Sequence, residues 1–148
     1  LVLGICNGFQ ILTETGLLPG ILLQNKYLNF ICKNIFVKIK DKKNKYFKNL
    51  NKEILELHIA HNEGNFFCTE SELKALEDNN QIAITYCNSE GLESNNFNPN
   101  GAIKNIAGIF NKNKNVLGMM PHPERMIDAH LSGEDGSLFF ENLLGNLK

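Results

Sequence analysis

The stretch LVLGICNGFQILTETG, residues 1–16, places a cysteine where one apolar pattern gives way to another. Residues 1–5 are apolar apart from one glycine, which is typical of a short buried strand. Over residues 8–15 the apolar positions take a helical spacing, and Gly16 is placed to end that helix. The pattern therefore predicts that Cys6 lies on a sharp turn between a strand and a helix.

The residues around Cys6 match the G-x-nucleophile-x-G elbow, with cysteine in place of serine. Gly4 and Gly8 stand two residues to either side, as we expect of a crowded turn with unusual backbone angles. Such a turn exposes the thiol and aims the first helical N–H groups, beginning at Asn7, toward it. These donors and the helix dipole would favour a thiolate and a developing oxyanion. The alternative is a small buried cysteine in a turn.

Length and composition indicate one globular domain. The 148 residues are 43% hydrophobic and 21% charged, with a net charge of −1. This charge gives no general reason to expect nucleic acid or an anionic membrane as a partner, and no apolar run approaches the ~20 residues of a membrane helix. The four cysteines form no C-x-x-C pair, which argues against a zinc cluster and favours the reducing cytoplasm.

The rest of the chain alternates predicted strands and helices, which favours an α/β layered domain. A capping box, Thr69 with Glu72, begins one helix. The other predicted helix is 137–147, and the predicted strands are 54–60, 81–86, 102–110 and 116–119, together with 30–39 as an extended pair or an edge strand. We interpret the lysine-rich segment 38–48 as a solvated loop or hairpin tip, with RNA or an acidic partner as the alternative.

A second apolar strand ends in VLGMMPHPERM, residues 116–126. His122 lies between Pro121 and Pro123, which stiffen the backbone and fix the direction of the imidazole. Glu124 could reach the far ring nitrogen and set its tautomer. A nucleophile, a base and an orienting carboxylate are the parts of a covalent acyl-transfer triad. Taken alone, the motif would be a turn bearing a surface acid.

GICNGFQIL and GMMPHPER, in which Cys6 and His122 lie 116 positions apart, resemble the class I, triad-type glutamine amidotransferases. Within that superfamily, the segments GLLPG, FICK, IAHNEGNF, NPNG and IAGI resemble the glutaminase subunits of phosphoribosylformylglycinamidine synthases. The resemblance implies a flavodoxin-like layered sheet with flanking helices, formed by residues 1–148 as a single domain.

The resemblance also implies a role for each site residue. Cys6 would attack the carboxamide of L-glutamine and form a thioester, with the backbone N–H of Asn7 in the oxyanion hole. His122 would transfer protons to ammonia and from water, and Glu124 would orient His122. Gln10, one helical turn beyond the cysteine, would hold the amino-acid end of glutamine.

The implied partners are a large synthase subunit and a small accessory subunit, which together use the ammonia in purine biosynthesis. ATP and magnesium are expected on the synthase, with no cofactor in this chain. His58 and His61 form an H-x-x-H pattern, but positions three apart on a strand face opposite ways, so we predict no metal site. We expect His61 to line the active site and His130 to be exposed.

Two departures from the family pattern stand out. Asn62 replaces a glycine of the family's HGEGN motif, a change most easily tolerated if the backbone φ is positive. Family members begin several tens of residues upstream, with the first strands and a glycine-rich loop that completes the oxyanion hole. We therefore expect the chain to be the C-terminal two-thirds of its domain. The alternatives are an inactive or partner-stabilising fragment, or a peptidase-like or γ-glutamyl hydrolase relative.

Overall fold

The computed structural model describes residues 1–130 and 132–147. Three helices flank a six-stranded sheet and a separate two-stranded sheet. The helices are α1 (Asn7–Glu14), α2 (Glu70–Asp78) and α3 (Asp135–Gly145). The strands are β1 (Val2–Ile5), β2 (Ile21–Leu23), β3 (Ile31–Ile39), β4 (Ile54–His61), β5 (Asn65–Phe67), β6 (Ile82–Cys87), β7 (Ile106–Phe110) and β8 (Val116–Met119). The prediction of an α/β layered fold is confirmed.

The large sheet has the strand order β1-β8-β7-β6-β3-β4. Strands β1 and β8 are parallel, with Ile5 paired to Met119, and the other neighbours in this sheet are antiparallel. Because the two parallel strands end side by side, the residues that follow them, Cys6 and the 120–124 turn, lie at the same edge of the sheet. The sequence predicted that both motifs end apolar strands, and the parallel pairing of those strands brings the motifs together.

Four predictions about elements need correction. Strand β3 is an interior strand paired with both β4 and β6, rather than an edge strand. Strand β7 begins at Ile106 rather than at residue 102, because Ile103–Asn105 form a short 3₁₀ helix. The sequence patterns missed the small sheet, since β2 and β5 have three residues each and so show too little periodicity. Helix α3 begins two residues before the predicted start.

The lysine-rich segment is not simply a solvated loop. Tyr46 and Phe47 are buried within it, while the lysines on either side of this pair, Lys45 and Lys48, are exposed. The Tyr46 hydroxyl donates to the carbonyl oxygen of Val2 at 2.6 Å and lies 2.9 Å from that of Asn115. The segment therefore packs against the ends of β1 and β8. Across the described residues, no helix combines the length and apolarity needed to cross a membrane.

Candidate active site

Cys6 occupies a strained turn between β1 and α1. Its backbone has φ 51° and ψ −105°, a combination outside the regions that an L-residue normally adopts. The Cys6 N–H donates to the carbonyl oxygen of Met119 at 2.8 Å, which fixes the turn to the end of β8. The predicted elbow is thus present, and the tie to β8 holds its strained geometry.

The two glycines beside the elbow have different roles. A Cβ placed on Gly4 would lie 2.7 Å from the backbone carbonyl atoms of Gly8, so a side chain at Gly4 would collide with the main chain of α1. A Cβ on Gly8 would meet open space, and Gly8 has no positive φ. The expectation that the crowded turn requires both glycines is therefore wrong for Gly8.

The environment of the Cys6 thiol opposes ionisation more than the sequence suggested. Burial raises the pKa of the thiol, while the backbone N–H of Asn7 and the charge of Arg125 act to lower it. The net direction is upward, so the expected preference for a thiolate at this elbow is corrected. A half-buried thiol whose pKa is raised needs a base to accept its proton when it attacks.

His122 follows β8, and hydrogen bonds from both its backbone and its side chain hold it in place. Its backbone N–H donates to the carbonyl oxygen of His58 at 2.7 Å, and its Nδ1 lies 2.5 Å from Oε1 of Glu124. The Nε2 atom is buried and has no hydrogen-bond partner among residues 1–130 and 132–147. Since Nδ1 donates to a carboxylate, Nε2 carries the lone pair and can accept a proton.

Cys6 and His122 line one cavity of about 380 Å³ at the edge of the large sheet. Asn7 and Gln10 line it too, while Glu124 bonds to Nδ1 of His122. The structure therefore brings together all five residues that the sequence predicted for the site. Their individual chemical roles stay predictions.

Gln10 connects α1 to the loop after β4. Its Nε2 donates to Oε1 of Glu14 at 3.2 Å and to Oε2 of Glu63 at 3.3 Å. Both Gln10 and Glu63 line the cavity. An amide donor and a carboxylate acceptor therefore lie on the same wall of the cavity. The amide could bind a carboxylate of a ligand, and the carboxylate could bind an ammonium group.

His61 is buried beside the cavity in one tautomer, fixed by Asn25. The Asn25 amide nitrogen donates to the carbonyl oxygens of Asn29 and His61, so its Oδ1 is the acceptor for Nδ1–H of His61 at 3.0 Å. Burial, with the charge of His122, lowers the His61 pKa to about 4. Its position at the site, predicted from the sequence, is confirmed by the cavity lining.

The sequence analysis did not assign Arg125, Phe30 or Glu63 to the site, yet all three line the cavity. A signal existed for Arg125, which directly follows the His-Pro-Glu motif and is the sole arginine of the chain. Phe30 and Glu63 lie in the FICK and IAHNEGNF segments, which carried the family resemblance, but no residue type or spacing there indicated a role in the site.

Three further expectations concern Asn62, His130 and metal ions. The φ of Asn62 is not positive, so the conditional reason for tolerating asparagine there does not apply. His130 is exposed, as predicted. In residues 1–130 and 132–147 there is no group of three or more His, Cys, Asp or Glu side chains suited to a metal ion.

The fold and this site define a class of protein: an α/β domain with a cysteine on a strained elbow opposite a His–Glu pair. Residues 1–133 match the CobB/CobQ-like glutamine amidotransferase domain, and the chain belongs to this family.

Two curated relatives share one name. The chain is 65% identical, over 99% of its length, to phosphoribosylformylglycinamidine synthase subunit PurQ of Pelagibacter ubique, and 44% identical over 98% to that subunit of Aquifex aeolicus. It is also similar to a chain in the structure of PurLQS from Thermotoga maritima, with a TM-score of 0.81 and 34% identity over all of this chain. The chain spans 62–65% of the length of these three relatives.

Proposed function

We propose that this chain carries the glutaminase site of a phosphoribosylformylglycinamidine synthase, where glutamine is hydrolysed to glutamate and ammonia. The observation that carries the proposal is that Cys6, on its strained elbow, shares a cavity with His122. His122 is bonded to Glu124 at Nδ1, and its Nε2 has no hydrogen-bond partner in the described part of the chain. The family and the names of the relatives support the same function.

In the proposed first step, the Cys6 sulfur attacks the carboxamide carbon of glutamine. His122 accepts the thiol proton at Nε2, which matters because burial raises the pKa of the Cys6 thiol. The backbone N–H of Asn7 acts to lower the pKa of the Cys6 thiol, and it would donate to the developing oxyanion. Glu124 accepts from Nδ1 of His122 and stabilises the imidazolium.

In the second step, His122 returns its proton to the leaving nitrogen, and ammonia departs from a γ-glutamyl thioester. His122, neutral again, then deprotonates a water molecule that attacks the thioester carbon. The C–S bond breaks, glutamate is released, and the departing Cys6 thiolate takes the proton back from His122. Gln10 and Glu63 lie on the wall where the amino-acid end of glutamine would bind. We assign recognition of that end to Gln10.

We propose that the ammonia passes to a large synthase subunit, assisted by a small accessory subunit, for purine biosynthesis. The supporting observations are the similarity to a chain in the structure of PurLQS and the word subunit in the names of the curated relatives. ATP and magnesium would be used on the synthase. All four cysteines lie in the described part of the chain and are unpaired thiols, which supports a reducing cytoplasm.

The decisive experiment is active-site labelling of the full chain with a diazo-ketone analogue of glutamine, followed by peptide mass spectrometry. We expect the adduct on Cys6, with Cys32, Cys68 and Cys87 unlabelled, and we expect an excess of glutamine to slow the reaction. Turnover, measured as glutamate release with the synthase present, should be abolished in His122→Ala and retained in the matched control His130→Ala.

An adduct on another cysteine with Cys6 free would overturn the nucleophile assignment. Undiminished turnover in His122→Ala would place the base elsewhere. If glutamine neither protects the thiol nor is hydrolysed with the synthase present, the chain is an inactive or partner-stabilising component. We expect turnover to rise when the synthase is added, because uncoupled hydrolysis would waste glutamine.

A further inference from the structure

A second thiol and imidazole meet outside the Cys6–His122 pair, on neighbouring strands β3 and β4. The Sγ of Cys32 lies 3.4 Å from Nε2 of His58. The Nδ1 of the same imidazole lies 2.9 Å from Oδ1 of Asn34. The antiparallel register pairs Asn34 directly with His58 and Cys32 with Ala60, so these side chains lie on one face of the sheet.

The hydrogen bonds fix the direction in which this cluster can move a proton. The Asn34 amide nitrogen donates to Oε1 of Glu56 at 3.2 Å, and a carboxylate can only accept. Oδ1 of Asn34 therefore faces His58 as an acceptor, and Nδ1 of His58 is the donor. In the neutral ring, Nε2 then carries the lone pair, directed at the Cys32 thiol.

The imidazole is held in the form that can act as a base. Partial burial lowers the pKa of His58, and the charges of Arg125 and His122 add to this effect. His58 is thus neutral near pH 7, with its free lone pair next to a thiol. A thiol beside a positioned neutral imidazole is the arrangement by which proteins prepare a cysteine for attack.

Access distinguishes Cys32 from the other cysteines. Cys32 is exposed, whereas Cys68 and Cys87 are each 4% exposed and Cys6 lies half-buried in its cavity. A small disulfide in solution can therefore reach Cys32 without entering the active site. Its register partner Ala60 lines that cavity, so a group attached to Cys32 would lie next to the cavity wall.

We propose that Cys32 is a second reactive thiol, activated by His58, that exchanges with low-molecular-weight disulfides to form a mixed disulfide. His58 accepts the proton from the Cys32 thiol as its sulfur attacks one sulfur of the incoming disulfide. The old S–S bond breaks, a new one forms to Cys32, and the departing thiolate takes the proton from His58. The incoming disulfide is the oxidant, since one of its sulfurs leaves as a thiol while Cys32 becomes oxidised. A second thiol reverses the reaction.

The test uses 4,4′-dithiodipyridine on the full chain carrying Cys6→Ser, so that the outcome does not depend on the proposed glutaminase activity. We expect rapid release of one equivalent of pyridinethione, with the adduct on Cys32 by peptide mass spectrometry. His58→Ala should slow this reaction by at least about tenfold, since a positioned general base typically contributes 10²–10⁴ and this site is open to solvent. His130→Ala, at an exposed histidine, should leave the rate unchanged.

Protection of Cys68 and Cys87 in the same samples reports that each variant is folded. If His58→Ala exposes those thiols, His58→Gln replaces it, because glutamine keeps polar contacts without acting as a base. An unchanged or faster reaction of Cys32 in the folded His58 variant would overturn the proposal. So would an adduct that forms first on Cys68 or Cys87.

Discussion

Gly4 and Gly118 face each other in the parallel pair β1–β8, and helix α1 packs directly on both. A Cβ on Gly4 would meet Leu12 and the main chain of Gly8, and a Cβ on Gly118 would meet Phe9. Because neither of these two facing positions carries a side chain, α1 can approach the sheet closely. This approach holds the N-terminus of α1, and with it Cys6, over the ends of the two strands.

Alanine at the two glycines that flank Cys6 should have opposite effects. Gly4→Ala should lower the free energy of unfolding by about 1–3 kcal/mol, because its Cβ collides with backbone that cannot rotate away. Gly8→Ala should raise it by roughly 0.5–1 kcal/mol, since its Cβ enters open space within a helix. Urea unfolding of both variants measures the difference. Equal destabilisation by the two would show that the turn requires both glycines.

Glu124→Gln should reduce glutamine turnover by about 10²–10⁴ without a matching rise in KM. The amide can still accept from Nδ1 of His122, but it no longer stabilises an imidazolium by charge. Glu90→Gln removes one carboxylate from an exposed turn and serves as the control. Steady-state glutamate release with the synthase present gives both parameters. Full activity in Glu124→Gln would contradict the orienting role.

Arg125→Gln should raise the pKa of the Cys6 thiol further above its ordinary value. Burial already raises this pKa, and the positive charge of Arg125 partly offsets the effect. The pH dependence of iodoacetamide alkylation at Cys6, followed by peptide mass spectrometry, reports the shift. Lys112→Gln removes a cation from an exposed turn and should leave the profile unchanged. A downward shift in the Arg125 variant would contradict the electrostatic argument.

His61 should make stability depend on pH between about 4 and 6.5. Its pKa falls from the usual 6.5 to about 4 on folding, so in this interval the unfolded chain binds a proton that the folded chain does not. The stabilisation is fully present above pH 6.5 and is lost as the pH falls toward 4, by about 3 kcal/mol in total. Urea unfolding at several pH values should show this slope in the parent chain and a smaller one in His61→Gln. Identical slopes would mean that His61 already titrates with its ordinary pKa in the folded state.

Local patterns in the sequence determined the central part of the site. The glycine-flanked cysteine predicted a sharp elbow, and such a turn depends on backbone sterics over a few residues. His122 and Glu124 are two residues apart on a proline-stiffened turn, so their contact is also a local property. Both motifs end apolar strands, and this alone favoured their meeting at one edge of a sheet.

Other features depend on residues that are distant in the chain, and only the tertiary structure decided them. Asn25 fixes the tautomer of His61 across 36 positions, and burial rather than the helix terminus sets the direction of the Cys6 pKa. Cys32 and His58, 26 positions apart, meet because the β3–β4 register pairs their strands. Backbone sterics and hydrogen bonds between residues a few positions apart leave a trace in the sequence pattern. Desolvation and cross-strand contacts depend on the whole packed chain, and they leave no such trace.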